Sequence, residues 1–464
     1  MNLISRHKYP LIAFAYYSKK NDIGGVTTWL ERLLLGMHKD SIPIAVYLIK
    51  YDSDGEDSTL LHNLREAGIS VDIAVESTYI EEDVSCILSF LNRHQPQVFL
   101  PQCIESMYYA ARIAAKRGLP WAMTVHSDDP VYWTFAQKIA PEANNGLMVG
   151  VSDYICKKAV QKGVANQPKT IPCGVPIFEN AASFSDSPFR VVYCGRVMEE
   201  QKRISLVLEA MCQACCLDPR IECWIIGDGD EMTISRDLVN ERGLSDRIIF
   251  LGLIESSTVQ SKLALCQAIL LMSDYEGLPV ALLEAMAIGV VPIVRLIPSG
   301  IPELVKHNES GLLVDDTPEQ AAEGVVHLVN HPDLWLKYSN ASKSLVAENY
   351  SEEICYQRWL NVISELSDRS TINYPMKIPK RISIPPVDPI LVGRAQRRRP
   401  SIMDQVRAKS HQIMMFILVF IINFRYFFME FGFSLGRKIL PKSFREQLWN
   451  KYSRFFISSE REDK

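Results

Sequence analysis

The chain has 464 residues, 47% of them hydrophobic and 22% charged, with a net charge of only −4. These are the values of an ordinary globular protein, with length for two or three domains and apolar content for a core in either half. The charge is uneven: residues 371–464 hold 18 Lys and Arg against 7 Asp and Glu, net +11, leaving 32 against 47, net −15, for residues 1–370. A basic tail on an acidic body points to a separate task for the tail, with an anionic membrane or nucleic acid the usual partner for such charge. Eleven cysteines lie scattered without paired spacing. Cys212, Cys215 and Cys216 come nearest to a metal pattern, but no second Cys-x-x-Cys completes a set of four ligands, so they read as helix packing. Free thiols in this number fit a reducing cytosol. The first ten residues carry no apolar core region and read as no signal peptide.

In chain order, 10–16 reads as a first buried strand, and the glycine pair Gly24-Gly25 falls at the turn into a helix over 29–37. Paired glycines there let a ligand approach the backbone, although a tight turn explains them equally well. Strands are expected at 44–50, 71–75, 98–100, 121–126 and 147–152, with helices around 83–93 and 106–117 between them. His126 ends one strand, and Ser152 is placed to cap the helix that starts at Asp153. Such alternation means a doubly wound parallel sheet. A Ser-rich linker at 181–188 separates a second alternation: strands at 190–194, 222–226, 247–251, 268–272 and 290–294, and helices at 204–216, 231–241 and 257–266. Helices at 318–330, 333–347 and 352–366 follow.

From residue 371 the character changes. Pro375, Pro379, Pro385, Pro386 and Pro389 make an extended connector, and Arg397-Arg398-Arg399 leads to an uncharged run over 413–424. Its twelve residues fall short of the ~20 that a spanning helix needs, and extending it takes in Arg425 and Glu430. An interfacial or re-entrant membrane helix with basic flanks, a helix packed on protein, and a spanning helix are the three readings.

Chemistry concentrates in three places, each at the end of a strand in the second half. Gly195-Arg196-Val197-Met198-Glu199-Glu200-Gln201-Lys202-Arg203 projects Arg196 and Lys202 from the sheet edge, and two cations there can neutralise a diphosphate leaving group. Gly227-Asp228-Gly229-Asp230 has an Asp-x-Asp spacing, as does Asp52-Ser53-Asp54, but both read as turn chemistry rather than metal sites. The third is Tyr275-Glu276-Gly277-Leu278-Pro279 running on to Leu283-Glu284-Ala285. Glu276 lies at a strand-to-helix turn, beside backbone N–H groups that favour phosphate, and Glu284 lies one or two turns into the helix. Alone, the two carboxylates would invite a hydrolase acid/base pair.

Together these pieces resemble the retaining GT-B glycosyltransferases of the family-4 type, the glycosyl transferases group 1. Glu276 and Glu284 fit the E-x7-E spacing and Gly195 to Lys202 the Gly-Arg-x5-Lys spacing, beside Ile-Ile-Gly-Asp-Gly at 225–229, Phe-Leu-Gly at 250–252 and Gly-Ile-Pro-Glu at 300–303. Gly24-Gly25, His126, Val-Ser at 151–152 and Ile-Pro-x-Gly-Val at 171–175 are weaker matches. The resemblance covers about residues 10–367. It implies an α/β GT-B fold: two Rossmann-like doubly wound parallel-sheet domains facing a cleft, with the basic amphipathic C-terminal tail outside it. The expected divisions are 1–180 for an acceptor-binding domain, 188–350 for a nucleotide-sugar domain, 351–368 for a helix crossing back, and 369–464 for linker and tail.

The resemblance also implies roles. Arg196 and Lys202 hold the diphosphate, Glu284 the ribose hydroxyls, and Glu276, Gly277 and Leu278 face the donor sugar and phosphate. Gly24 and Gly25 close over the phosphates. His126 contacts the sugar, although a lone histidine at a strand end is otherwise more often structural. Arg196, Lys202, Glu276 and His126 are thus the expected catalytic set, without a metal or a cofactor beyond a UDP- or GDP-sugar donor. The expected activity is retaining, metal-independent transfer of a hexosyl or pentosyl group to a lipid-linked or saccharide acceptor, in polysaccharide or glycolipid synthesis. Residues 394–456 would meet an anionic membrane surface, on the inner face, from the cytoplasm; nucleic acid is not expected as a partner. A catalytically weak nucleotide-sugar-binding scaffold and a GT-B sugar-nucleotide epimerase are the alternatives. Two departures from the family pattern stand out: Arg203 where many members have glycine, and a bulky Arg295-Leu296-Ile297-Pro298-Ser299 where small residues are usual.

Overall fold

The structure is a computed structural model that describes residues 9–20, 24–51, 57–178, 181–385 and 441–443. Short apolar runs form its strands, and helices cover both faces of each sheet. Strands buried on both faces read as continuous apolar runs rather than alternating ones. The first sheet takes β1 (Ile12–Ser18), β2 (Ile44–Lys50), β3 (Val71–Val75), β4 (Val98–Pro101), β5 (Trp121–Val125), β6 (Gly146–Gly150) and β7 (Lys169–Thr170). Its order is β3-β2-β1-β4-β5-β6-β7, every pair parallel. The crossovers are α1 (Gly25–Lys39), α2 (Thr59–Glu66), α3 (Ile80–His94), α4 (Glu105–Ala115), α5 (Pro130–Ile139) and α6 (Asp153–Gln161). Helix α5 is absent from the sequence expectation. Pro130 stands in its first turn, where its missing N–H costs nothing, and Asp129 caps the helix by accepting from Val131 N–H.

The second sheet takes β8 (Phe189–Cys194), β9 (Ile221–Ile226), β10 (Ile248–Gly252), β11 (Ala268–Leu271), β12 (Val291–Arg295) and β13 (Leu312–Val314). Its order is β10-β9-β8-β11-β12-β13, again parallel throughout. Its helices are α7 (Ile204–Leu217), α8 (Met232–Glu241), α9 (Ser256–Leu263), α10 (Val280–Ala287), α11 (Ile301–Leu304), α12 (Pro318–Asn330) and α13 (Pro332–Asn349). Both sheets start at a central strand, wind outward, and resume on its other side. The order therefore reverses between β1 and β4 and between β8 and β11, and ligands of such sheets sit outside the strand carboxyl ends at that reversal.

After the second sheet, α14 (Glu352–Asp368) packs on the first domain. Ser351 caps it by accepting from Ile354 N–H. Trp359 lies 5.6 Å, centroid to centroid, from Trp29 of α1, and Tyr356 Oη donates to Asp40 at 2.7 Å. The residues that follow read as the start of a linker but are docked. Thr371 N–H donates to Gly118 O, Tyr374 Oη to Pro96 O, and the Asn92 side chain bonds both backbone groups of Met376. The apolar and basic tail segments fall outside the described residues. Among the described ones no helix is long and apolar enough to cross a membrane.

Candidate active site

The β8–α7 loop (195–203) and the β11–α10 loop (272–279) leave the sheet on either side of the second reversal. Glycines let the neighbouring loops close on the first of them. Gly227 has φ +131, and any Cβ there would collide with Gly195 O; a Cβ on Gly229 would collide with Val197 O. Val197 N–H donates to Asp228 O, and Asp228 Oδ1 accepts from Gly229 N–H at 2.8 Å. The Gly-Asp-Gly-Asp stretch is thus turn chemistry and close backbone approach, as expected. Tyr193 Oη donates to Arg196 O at 2.5 Å and steadies the loop from beneath.

Lys202 Nζ lies 2.5 Å from Glu276 Oε1, both side chains largely buried. Arg196 Nη2 donates to Gln201 Oε1 at 2.7 Å, Gln201 Nε2 to Tyr275 O at 3.1 Å, and Asp274 N–H to Gln201 O. Buried Gln201 therefore ties the two loops together, a role that its place between charged residues hides in the sequence. Just outside this pair the two family departures meet. Arg203, with φ +48, bonds Asp274 and Asp316. Arg295 bonds the same two carboxylates at 2.6 and 2.8 Å and Ser273 O at 3.2 Å. Two arginines and two aspartates thus form a ring across the ends of β8, β11, β12 and β13. The Asp side chains are about half exposed, at 45% and 50%.

Glu284 lies one turn into α10 and pairs with Arg32 of α1 at 2.7 Å. Gly24 is the N-cap of α1, and a Cβ on Gly25 would lie 2.9 Å from Val280 Cγ2, so the start of α1 packs on the start of α10. Gly277 faces the first domain: a Cβ there would collide with His126 O. Gly300 N–H donates to Gly277 O at 3.0 Å, and Leu278 beside them is buried. Glu303 reaches across to α6, accepting from Asp153 N–H at 3.0 Å and Tyr154 N–H at 2.7 Å, donors a helix start leaves open. Burial raises its carboxyl above the ordinary value, and the two N–H donors oppose the rise.

His126 is buried. Nε2 is 3.1 Å from Gln102 Oε1, Nδ1 is 3.9 Å from Cys173 Sγ, and the ring lies 4.9 Å from that of Trp29. Burial pushes its pKa down to about 3, so the imidazole is neutral at pH 7. Its ring is engaged inside the first domain, while its carbonyl meets Gly277. Of the residues singled out from the sequence, Arg196, Lys202, Glu276, Gly277, Leu278 and Glu284 thus gather on the second domain, with Gly24, Gly25 and His126 facing them. Gln201 and Arg32 were not foreseen. Neither carries a local signal, since Arg32 meets Glu284 and Gln201 reaches Tyr275 far away in sequence.

Residues 177–345, most of the second domain, match the family model of glycosyl transferases group 1, the family that its motifs resemble. The relatives include an exopolysaccharide phosphotransferase of Streptomyces coelicolor, 28% identical over 43% of this chain and 21% of its own length. Another is the amylovoran biosynthesis glycosyltransferase AmsK of Erwinia amylovora, 28% identical over 39% of this chain and 46% of its own. The chain thus matches less than half the length of these curated relatives. The crystal structure of Anabaena HepE in complex with UDP-glucose superposes with a TM-score of 0.64 over 77% of this chain and all of that one, at 18% identity. That likeness is one of fold, and the fold is GT-B.

Proposed function

We propose that the chain is a retaining glycosyltransferase that moves a sugar from a UDP- or GDP-sugar to a hydroxyl of a lipid-linked or saccharide acceptor. One observation carries this reading: Lys202 and Glu276, from two loops at the strand reversal of a glycosyl transferases group 1 domain, stand 2.5 Å apart. Arg196 is joined to the same loops through Gln201. A glycosyl–phosphate bond breaks with positive charge on the sugar and negative charge on the leaving group. Arg196 and Lys202 take the diphosphate, Lys202 exchanging a carboxylate oxygen for a phosphate oxygen. The N-terminus of α10, which has no side-chain cap, adds its N–H groups and dipole. These groups stabilise the departing charge without calling for a metal.

Glu284 accepts from ribose hydroxyls, and Glu276, Gly277 and Leu278 face the sugar and the phosphate. His126 meets the sugar side through its carbonyl beside Gly277, and its neutral ring adds no charge where the sugar itself becomes positive. The acceptor hydroxyl attacks from the face the diphosphate leaves, so its oxygen takes the anomeric carbon as the C–O bond to phosphate breaks. Its proton passes to the departing phosphate oxygen, and configuration is retained. The names of the relatives, with exopolysaccharide and amylovoran among them, support polysaccharide synthesis. The basic segment 394–456 supports work at an anionic membrane surface, peripheral and on the cytoplasmic side.

Turnover of a panel of nucleotide-sugars by the full chain, with saccharide and lipid-linked acceptors, tests this. Transfer is expected from at least one UDP- or GDP-sugar. K202A and E284A should each weaken donor binding at least about tenfold, the scale of a lost hydrogen bond to a charged group, while the fold persists. Binding without turnover of any donor favours a scaffold, and unchanged donor affinity in both variants removes the site assignment.

A further inference from the structure

Arg32 is the only sequence-distant residue of α1 tied by an ion pair to α10 among the described residues, and it is unevenly satisfied. Its side chain is 14% exposed, and Nη2 donates to Glu284 Oε1 at 2.7 Å. Nη1 is buried and has no hydrogen-bond partner among the described residues. A buried guanidinium nitrogen with its bond unmade is costly, because water has been lost and nothing has replaced it. Glu284 is matched to it: only Oε1 carries a bond among the described residues. A donor that lacks an acceptor thus adjoins a carboxylate with acceptor capacity to spare. One kind of group completes both, namely a hydroxyl, which accepts through oxygen and donates through hydrogen. The helices bearing the two residues are packed together at their starts by Gly25 against Val280, so the pair is held on rigid elements.

We propose that Arg32 is a donor-binding residue contributed by the first domain, its Nη1 donating to a ribose hydroxyl that in turn donates to Glu284. This rests on the reading of the second domain as a nucleotide-sugar site. The pairing also makes ribose binding a signal of domain closure, because the hydroxyl is fully satisfied only when α1 lies against α10. Lysine can keep the ion pair with Glu284 but brings a single nitrogen instead of a fork, so R32K separates the ribose contact from the interdomain pair. Glutamine removes the charge as well.

The test is calorimetric titration of the full-length protein with UDP and GDP and with their 2′,3′-dideoxy analogues, for wild type, R32K, R32Q and K202A, with a melting curve for each. Expected is a loss of about tenfold to a hundredfold in R32K affinity for the ribonucleotide, little change for the dideoxy analogue, and a melting temperature near wild type. R32Q should behave alike in binding while melting earlier. Ribonucleotide affinity unchanged in both variants, with K202A impaired, overturns the role of Arg32 and leaves the donor site standing. Equal loss for ribo and dideoxy forms puts the nitrogen on phosphate and overturns the ribose assignment. No binding of any diphosphate by folded wild type overturns the donor site itself.

Discussion

The two sides that meet at Gly277 are built from opposite materials. On the second domain, loops 195–203 and 272–279 carry Arg196, Lys202, Glu276 and Asp274; Lys202 pairs with Glu276 and Arg203 with Asp274 across the loops, and Gln201 joins Arg196 to Tyr275 O. On the first domain, the carboxyl ends of β4 and β5 and the segment after β7 present Gln102, His126 and Cys173, neutral groups in contact with one another and sealed beside Trp29. On the proposed function, charge stands where a diphosphate would leave, and neutrality where a sugar would become positive. A mobile charge on the first wall would compete with the second for the phosphate; a neutral imidazole cannot. The contrast also explains why the charged side is readable in a sequence and the neutral side is not. Diphosphate demands cations at set spacings, whereas neutral and aromatic walls can be made in many ways.

The largest effect expected comes from breaking the charged wall at its buried pair. Lys202→Ala leaves Glu276 buried and alone, which costs about 3–5 kcal/mol, whereas replacing both members by apolar groups is often neutral or better. K202M/E276L should therefore restore the stability lost in K202A, read by urea unfolding, while donor binding stays lost. If the double variant is no more stable than the single one, the pair is not the desolvated unit that the geometry describes.

The neutral wall should answer to pH instead. His126 has a folded pKa of about 3 against roughly 6.5 unfolded. Between these values the unfolded chain binds one proton more, so stability rises with pH across the window. Its contribution is fully present above pH 6.5 and is lost as pH falls toward 3. Between pH 7.5 and 5 the loss is about 2 kcal/mol. An H126N variant should lose that much less over the same interval in unfolding free energy. Parallel curves for the two proteins would mean that the histidine protonates freely in the folded state.

Much of this was legible beforehand, for reasons particular residues make plain. Apolar runs such as 12–16 and 268–271 can only be buried strands, so the two parallel sheets followed from the alternation. The E-x7-E and Gly-Arg-x5-Lys spacings brought Glu276 and Lys202 to neighbouring strand ends, because both lie beside the order reversal. Helix α5 starts at Pro130, and a proline in a helix start and one in a loop look alike in one sequence. Arg32 was invisible because it meets Glu284 across 252 residues, through domain packing that no local pattern encodes. Arg203 and Arg295 were visible as departures, but nothing in their spacing said that they share Asp274 and Asp316.

That ring supplies the smallest effect and the sharpest contrast, since it sits one residue from Lys202 and two from Glu276. Its carboxylates are half exposed, and exposed ion pairs contribute about 0.2–1 kcal/mol each. Arg203 also holds φ +48, a left-handed conformation that costs a residue with a Cβ about 1–2 kcal/mol. R203G and R203A both lose the ion pairs, but only glycine escapes the backbone cost. R203G should unfold within about 1 kcal/mol of wild type, and R203A should be less stable than R203G by about 1 kcal/mol. Raising salt should narrow the gap between wild type and R203G, because exposed charges are screened. The same salt should leave the gap between wild type and K202A nearly unchanged, its partner being buried. Should R203G instead cost as much as K202A, the ring and the buried pair form one cooperative unit, and the outer charges position the inner ones.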